Sequence, residues 1–411
     1  MTLSSPGKHL LMTADTVSGV WHYASSLAQE LARRDWTITL VTLGPAPRQE
    51  QFLPLLAFPQ IDLEITELAL EWQDPEGQDR ERVLEFLTAL EDRVRPDMVH
   101  LNGYREACAP WRAPVLVAAH SCLGSWWQAC RGSAPSEPGW QTYLADVASG
   151  LASADRWVAP TAAFRDVMTQ GYAPPRAGSV IWNGVERSAL TGTATKQPFI
   201  LGAGRCWDEA RNVGLLPGIA NQLDWPFRIA GAKQPLPGRP MGACSEPFVL
   251  AEFFPKSGPP LFETQHGAAD GMADDTPRLD NLAGNDLRGL MRRAGIFVAP
   301  TLYEPFGPAV LEAAAAGCAL VLADIATFRE LWDGAAVFVD PRDANGMATA
   351  LNALSRDTAR RQMLQTAAKR RAARYTLTAQ ATAYERLYRE MLDRRLRRPL
   401  PLAASFCEAG A

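Results

Sequence analysis

Short apolar runs alternate with longer amphipathic segments at the start of the chain. The apolar runs 9–12 and 37–43 predict two buried strands. Between them, residues 20–34 carry apolar side chains at every third or fourth position, which is the spacing of one face of a helix. A strand, a helix and a strand in this order predict a βαβ unit with parallel strands.

The same alternation continues through two further blocks of the chain. The first block predicts strands at 98–101, 115–119, 157–159 and 180–182, with helices at 80–94 and 141–152. The second block predicts strands at 199–202, 227–230, 296–299, 319–322 and 336–339, with helices at 286–293, 309–316 and 344–354. Such alternation is typical of parallel sheets covered by helices. We therefore predict an α/β protein with two doubly wound units.

The length of the chain and one polar segment divide it into two domains. A chain of 411 residues exceeds what a single hydrophobic core usually organises. The Thr-rich segment 187–197 predicts a linker, which gives an N-terminal domain at 1–188 and a C-terminal domain at 196–376. Beyond residue 359 the pattern predicts helix to about residue 398, with a break near Tyr375.

One stretch of the C-terminal domain does not fit the alternation. Residues 233–285 contain eight Pro and six Gly, a density well above that of the whole chain, which has 31 of each in 411 residues. Long segments of this composition are usually loops. We therefore predict a mostly irregular insertion here.

Composition and charge exclude several classes of protein. With 47% hydrophobic and 21% charged residues, the chain is typical of globular proteins rather than of disordered or fibrous ones. The net charge of −4 gives no attraction for nucleic acid, which we exclude as a partner. Seven scattered cysteines fit free thiols in a reducing compartment. Neither a signal peptide nor a membrane-spanning run is recognised, so we predict a cytoplasmic protein.

The charge is nevertheless uneven along the chain. Residues 359–398 carry twelve Lys and Arg against three acidic residues. One interpretation is the solvated face of C-terminal helices. The other is loose, peripheral attachment to the inner face of an anionic membrane.

Ligands of open α/β sheets bind at strand-to-helix junctions, beyond the carboxyl ends of the strands. At one junction, Glu304 precedes a predicted helix and Glu312 lies one turn inside it. These carboxylates either accept hydrogen bonds from the hydroxyls of a sugar and a ribose, or they are solvated groups beside a helix cap. The helix would also open with free backbone amides that suit an anion, those of Phe306, Gly307 and Ala309.

Three other junctions carry candidate chemistry. Arg205 and Arg211 follow a predicted strand and either face a diphosphate or are ordinary surface arginines. His120 ends another predicted strand, as a binding residue or as a core histidine. Gly19 opens the first helix, where it allows a phosphate or a sugar to approach the backbone closely.

Taken together, these motifs resemble a known family. The run from Glu304 to Glu312, Glu-Pro-Phe-Gly-Pro-Ala-Val-Leu-Glu, is similar to the E-x7-E signature of the retaining glycosyltransferases of family 4, also called glycosyl transferases group 1. Further motifs follow the order of that family: Ser18-Gly19, His120-Ser121, Asn183-Gly184-Val185, Gly204-Arg205, Arg211-Asn212 and Glu330-Leu331. The likeness fails across residues 233–280.

The resemblance implies a fold and a role for each candidate residue. The fold would be GT-B, with two facing Rossmann-like domains and a C-terminal helix, 377–398, that returns to the N-terminal domain. His120 and Glu304 would contact the donor sugar, and Glu312 would bind the ribose of its nucleotide. Arg205 stands where the family has its phosphate-binding Arg, and Arg211 stands at the second basic position, so both would face the leaving diphosphate. The donor and nucleotide site would be completed by Gly19, Phe306, Gly307 and Ala309.

Three positions depart from the pattern of the family. Arg211 stands where the family usually has Lys, and a planar guanidinium binds differently from a flexible ammonium. Pro308 stands where many members have a residue with a backbone N–H. Ser18 replaces the first of two glycines.

The predicted function is the transfer of a hexose from a nucleotide diphosphate sugar to an acceptor hydroxyl, with retention of anomeric configuration. The acceptor would be a glycan, a lipid-linked sugar or a small molecule. No cofactor and no metal are expected, because two arginines and a helix N-terminus supply positive charge and the sequence has no Asp-x-Asp element. The alternatives are a sugar-nucleotide epimerase or glucan synthase on the same scaffold, and a non-catalytic protein that binds sugar nucleotides.

Overall fold

The computed structural model of the protein describes residues 8–186, 194–205, 208–231, 248–253, 279–282 and 284–397. The strands of the N-terminal half are β1 (His9–Asp15), β2 (Thr37–Leu43), β3 (Ile61–Glu64), β4 (Met98–Leu101), β5 (Val115–Ala118), β6 (Arg156–Ala159) and β7 (Ser179–Val180). Its helices are α1 (Val20–Ala32), α2 (Gln49–Phe52), α3 (Arg80–Val94), α4 (Leu123–Arg131), α5 (Pro138–Ser153) and α6 (Ala162–Tyr172). The segment 187–193, which holds most of the predicted linker, lies outside the described residues.

The seven strands of the N-terminal half form one parallel sheet in the order β3-β2-β1-β4-β5-β6-β7. Side chains on the two faces of β1 enter two different cores. Leu11 packs with residues of α3 and α5, whereas Leu10 packs with residues of α1. A strand buried on both faces needs apolar residues at nearly every position, which explains the continuous apolar runs of the sequence.

The C-terminal half forms a second seven-stranded sheet, in the order β11-β10-β9-β8-β12-β13-β14. Its strands are β8 (Gln197–Ala203), β9 (Phe227–Gly231), β10 (Phe248–Phe253), β11 (Leu279–Leu282), β12 (Ala294–Ala299), β13 (Ala319–Ala323) and β14 (Ala336–Val339). Its helices are α7 (Leu215–Ile219), α8 (Gly284–Arg293), α9 (Pro308–Ala315), α10 (Ala326–Trp332), α11 (Ala344–Arg356), α12 (Thr358–Ala372) and α13 (Leu377–Arg397). The predicted fold class is confirmed: the protein has two Rossmann-like α/β domains.

The prediction of an irregular stretch at 233–285 is wrong where two strands occur in it. β10 pairs antiparallel with β9, and β11 pairs antiparallel with β10. These strands extend the edge of an otherwise parallel sheet. β10 has six residues and β11 only four, and the many Pro and Gly residues around them made strands difficult to recognise in the sequence.

The C-terminal helix α13 is fastened to the N-terminal domain. The hydroxyl of Tyr23 in α1 donates a hydrogen bond to that of Tyr384 in α13, at 2.5 Å. The Glu385 carboxylate accepts hydrogen bonds from Trp36 Nε1 and Arg34 Nη1, both at 3.0 Å. The chain therefore crosses back from the second domain and closes the core behind β1.

Candidate active site

Arg211 is positioned by a tight turn after β8. Residues Glu209–Arg211 form one turn of 3₁₀ helix, and Asn212 follows in the left-handed conformation with φ of 51°. The side-chain amide of Asn212 donates to the carbonyl oxygens of Pro300, at 2.9 Å, and Pro341, at 2.7 Å. Because these carbonyls follow β12 and β14, the turn is tied to the carboxyl edge of the sheet, and Arg211 is fixed there.

Arg211 and Glu304 form an ion pair between Nη1 and Oε2. Glu304 is only 8% exposed, and Asp208 Oδ2 lies 3.8 Å from Nε of the same guanidinium. Burial lowers the pKa of Arg211, and the positive charge of nearby Arg205 lowers it further, whereas Asp208 opposes the shift. The structure thus brings two predicted site residues, Arg211 and Glu304, into direct contact and places Arg205 beside them.

Gly307 sets the direction in which α9 begins. Its φ is +88°, and a Cβ atom at this position would lie 2.9 Å from Cε1 of Phe328, so a larger residue is excluded on both counts. The Phe306 side chain is buried in the core, which leaves only its backbone for a ligand. The first amides of the helix have no acceptor within the helix itself.

Glu312 lies within α9, at its fifth residue. Its Oε1 is 3.6 Å from Nη2 of Arg288 in α8, and its side chain is 20% exposed. The carboxylate is therefore accessible from solvent and retains capacity to accept hydrogen bonds from a ligand.

His120 lies at the carboxyl edge of the N-terminal sheet, just after β5. Its Nε2 is 2.7 Å from Oδ1 of Asn102, which follows the neighbouring strand β4. The ring of Tyr23 contacts the imidazole edge to face, with centroids 4.2 Å apart. Burial lowers the pKa of His120 to about 3, so the imidazole is neutral at physiological pH.

Gly19 caps the N-terminus of α1 beside a turn held by Asp15. The Asp15 carboxylate accepts hydrogen bonds from the backbone amides of Val17, at 2.7 Å, and Ser18, at 3.2 Å. A Cβ atom on Gly19 would have no heavy atom within 4 Å among the described residues. The packing of the protein itself therefore does not require glycine at this position.

Several polar contacts join the two domains around these residues. The Tyr303 hydroxyl accepts from the backbone amide of Cys122, and Thr161 Oγ1 donates to the carbonyl oxygen of Pro305. Glu330 in α10 accepts hydrogen bonds from the first two backbone amides of α6, at 2.9 and 2.8 Å. Arg131 and Glu209 form an ion pair at 3.0 Å. The charged residues of the second domain are thus held opposite the N-terminal sheet.

Several residues that contribute to this region were not predicted from the sequence. Asn102 and Tyr303 belong to no recognised motif. Glu71 and Glu106 form a buried carboxyl pair beside Gly103, and burial together with the charge of Glu106 raises the pKa of Glu71 well above its usual range. Asn102 could have been found by the same rule that selected His120, because both directly follow apolar strands.

No cluster of three or more metal-ligating side chains occurs in the part of the chain that the structure describes. Asp270, Asp274 and Asp275, the nearest approach to an acidic motif in the sequence, lie outside that part. Within the same limits, no helix is long and apolar enough to cross a membrane.

Two facing Rossmann-like domains, with a C-terminal helix that returns from the second to the first, define a GT-B fold. The family model described as Glycosyltransferase Family 4 matches residues 17–189, and the one described as Glycosyl transferases group 1 matches residues 258–357. The chain belongs to this family of GT-B glycosyltransferases, family 4/group 1.

Curated relatives match shorter segments. Glycogen synthase of Mycobacterium tuberculosis is 39% identical over 93 residues, which is 22% of this chain and 22% of that protein. GDP-mannose:cellobiosyl-diphosphopolyprenol alpha-mannosyltransferase of Komagataeibacter xylinus is 33% identical over 137 residues, or 31% and 33% of the two chains. The match thus spans only a fifth to a third of the length of these relatives.

Solved structures resemble most of the chain. Sucrose-phosphate synthase from Thermosynechococcus elongatus superposes with a TM-score of 0.70 at 16% identity, covering 94% of this chain and 100% of that one. The HepE protein of Anabaena in complex with UDP-glucose gives a TM-score of 0.62 at 16% identity, with 94% and 99% coverage. At this level of identity the likeness shows the fold alone.

Proposed function

We propose that the protein transfers a hexose from a nucleotide diphosphate sugar to an acceptor hydroxyl, with retention of anomeric configuration. The observation that carries the proposal is the unequal charge of the two sides of the cleft. Arg205, Arg211 and the opening of α9 lie on one side, and the neutral imidazole of His120 lies on the other. Positive groups fixed in advance stabilise a departing diphosphate.

In the proposed reaction, the bond between C1 of the sugar and the diphosphate oxygen breaks, and its electron pair stays on the diphosphate. The acceptor oxygen forms a bond to C1 from the same face, and its proton passes to an oxygen of the leaving group. Because Arg211 is paired with Glu304 in the free protein, a phosphate that binds Arg211 would release the Glu304 carboxylate. The released carboxylate can then accept hydrogen bonds from sugar hydroxyls.

The comparisons support a nucleotide sugar as donor. One similar structure contains UDP-glucose, and one curated relative has a name that specifies GDP-mannose. We propose a glycan, a lipid-linked sugar or a small molecule as acceptor. Free thiols, among them the buried Cys122 and Cys318, are consistent with the cytoplasmic location that we propose.

Peripheral attachment to a membrane remains a weaker proposal. Two basic residues of α12 are engaged within the protein: Arg361 donates to the carbonyl oxygens of Leu354 and Ser355, and Arg371 donates to that of Leu331. This favours the interpretation of the basic segment as a solvated helix face. Co-sedimentation with anionic vesicles, compared with neutral ones, tests the alternative.

The experiment that tests the proposed function measures free nucleoside diphosphate after incubation with a panel of nucleotide sugars, with and without acceptors. Release that depends on the acceptor supports a transferase, and the anomeric coupling in the NMR spectrum of the product reports retention. Interconversion of the nucleotide sugar without acceptor would identify an epimerase. Binding without turnover of any pair would identify a sugar-nucleotide-binding protein.

A further inference from the structure

The partner of His120 is held in one orientation by the strand beside it. Asn102 Nδ2 donates to the backbone carbonyl oxygen of Thr13 in β1, at 2.6 Å, and the backbone amide of Asn102 donates to Thr13 Oγ1, at 2.9 Å. A carbonyl oxygen only accepts hydrogen bonds, so the NH₂ group of Asn102 has to face Thr13. Its Oδ1 atom therefore faces His120.

We propose that Asn102 is a positioning residue that fixes His120 as the tautomer protonated on Nε2 and so leaves Nδ1 as a hydrogen-bond acceptor. A carboxamide oxygen has no hydrogen to donate, so the hydrogen in the 2.7 Å contact has to come from Nε2. In a neutral imidazole only one nitrogen carries a hydrogen, and the partner of one nitrogen sets the state of the other. No side chain or backbone group of the described residues makes a hydrogen bond to Nδ1.

The surroundings of the ring favour the uncharged form. Tyr23 from α1 packs against its face, and the Tyr23 hydroxyl is engaged by Tyr384 of α13. His100, in β4, is buried and also has a pKa of about 3, so it contributes no charge. Among the described residues no carboxylate pairs with the imidazole, and charging the ring would cost desolvation without compensation.

The tautomer determines which part of a donor His120 can bind. An acceptor nitrogen forms a hydrogen bond with the O–H group of a sugar. It repels a phosphate oxygen, which also only accepts. Together with the arginines on the other side of the cleft, Asn102 would thus direct the sugar of the donor toward His120 and leave the diphosphate to Arg205 and Arg211. This consequence rests on the proposed function, whereas the tautomer itself does not.

The test is long-range ¹H–¹⁵N NMR of the full-length protein with ¹⁵N-labelled histidine, which distinguishes Nε2–H from Nδ1–H. The chain has five histidines, and the spectrum of His120→Gln identifies the signals of His120. We expect Nε2–H in the wild type, a mixture of tautomers in Asn102→Leu and retention of Nε2–H in Asn102→Asp, whose carboxylate still accepts from His120 although it no longer donates to the Thr13 carbonyl oxygen. Thr39→Val is the matched control, because Thr39 Oγ1 lies 2.9 Å from His9 Nε2 and its loss should change only the signals of His9.

The proposal is overturned if wild-type His120 is protonated on Nδ1 or on both nitrogens at neutral pH, or if Asn102→Leu leaves its signals unchanged. Should Asn102→Leu fail to fold, the wild type and Asn102→Asp still decide. In turnover, we expect Asn102→Leu to lower kcat at least about tenfold, with most of the activity restored in Asn102→Asp at a pH where His120 is neutral. If the tautomers behave as expected but no transferase activity exists, the proposed function fails and the assignment of Asn102 stands.

Discussion

The two sides of the cleft differ in how they hold their ionisable groups. The C-terminal side keeps charged groups together: Arg211 is paired with a nearly buried Glu304, and Arg205 lies close enough to Arg211 to lower its pKa. On the N-terminal side, burial lowers the pKa of His120 and raises that of Glu71, which favours the neutral form of both groups. A nucleotide sugar has the same asymmetry about the bond that is broken, with a charged diphosphate on one side of it and a sugar with neutral hydroxyls on the other. The comparison therefore predicts that His120 meets the sugar and that Arg205 and Arg211 meet the diphosphate.

The largest expected effect comes from removing the positive charge. Arg205→Ala and Arg211→Ala should each remove about 2 to 4 kcal/mol of transition-state stabilisation, which is measured as a decrease in kcat/KM. Arg211→Ala should also lower the free energy of unfolding by about 1 to 3 kcal/mol, because it leaves the Glu304 carboxylate nearly buried without its partner.

Steady-state kinetics and urea unfolding measure the two effects of these arginine variants. Arg211→Lys is the matched control, because it keeps the charge that the family usually has at this position but loses the planar fork. Wild-type rates in both alanine variants would contradict the proposal that these arginines stabilise the leaving diphosphate.

Substitutions of Glu312 and Glu304 should differ in their effects on nucleotide binding. Glu312→Ala should weaken binding of the free nucleoside diphosphate by about 1 to 3 kcal/mol, since it removes acceptors for ribose hydroxyls. Glu304→Gln should lower kcat with little change in that affinity, because its proposed contact is with the sugar. Isothermal titration calorimetry of both variants checks the separation, and equal losses of nucleotide affinity would contradict it.

Glu71, in the N-terminal domain, should affect how the free energy of unfolding depends on pH. The pKa of folded Glu71 lies above the value of about 4.5 expected for the unfolded chain, so the folded state keeps a proton that the unfolded state has lost. The free energy of unfolding should therefore decrease as the pH rises above about 4.5, by at most about 1.4 kcal/mol per pH unit for one group, until the folded pKa is reached.

Glu71→Gln tests this pH dependence while it preserves local structure. The new amide oxygen can still accept the hydrogen bonds that Glu71 receives from the backbone amides of Tyr104, at 3.0 Å, and Arg105, at 2.8 Å. Urea unfolding of this variant should show a flatter pH profile, whereas Glu67→Gln, at an exposed position, should behave like the wild type. An unchanged slope in Glu71→Gln would assign the effect to other groups.

The smallest expected effect is that of a chelator. Because Arg205, Arg211 and the N-terminus of α9 would supply the charge that a divalent cation supplies in other enzymes, turnover should survive excess EDTA. Activity that disappears with EDTA and returns with Mg²⁺ or Mn²⁺ would contradict this prediction and direct attention to Asp270, Asp274 and Asp275.

Most of the fold could be predicted because buried parallel strands leave a strong pattern. The bounds 37–43, 98–101 and 336–339 agree with the structure at both ends. The strand β3 was missed because it is short and lies at a sheet edge, and because the exposed Asp62 interrupts its apolar residues. The strands β10 and β11 pair antiparallel at the opposite edge. β10 is apolar at five of its six positions but is short and flanked by Pro247 and Pro255, and β11 has only two apolar residues, so neither produced a recognisable pattern.

Individual site residues could be predicted only where they belong to a recognised sequence motif. The contact between Arg211 and Glu304 joins residues 93 positions apart, and the contact between Asn102 and His120 joins two separate strand ends, so neither follows from local pattern. The same holds for Tyr303, whose hydroxyl binds the backbone of Cys122 across the domain interface. The predicted roles of all the site residues remain predictions: Gly19, His120, Arg205, Arg211, Glu304, Phe306, Gly307, Ala309 and Glu312.

The most direct test of the account compares two ligands with two variants by isothermal titration calorimetry. The ligands are a nucleotide sugar and its nucleoside diphosphate, chosen as the pair that raises Tm most, since saturation at a hundred times Kd stabilises by about 2.7 kcal/mol. The account predicts that Arg205→Ala weakens binding of both ligands, whereas His120→Ala weakens only that of the nucleotide sugar. If His120→Ala weakens both ligands equally, or Arg205→Ala weakens neither, the assignment of the sugar and the diphosphate to opposite sides of the cleft is contradicted.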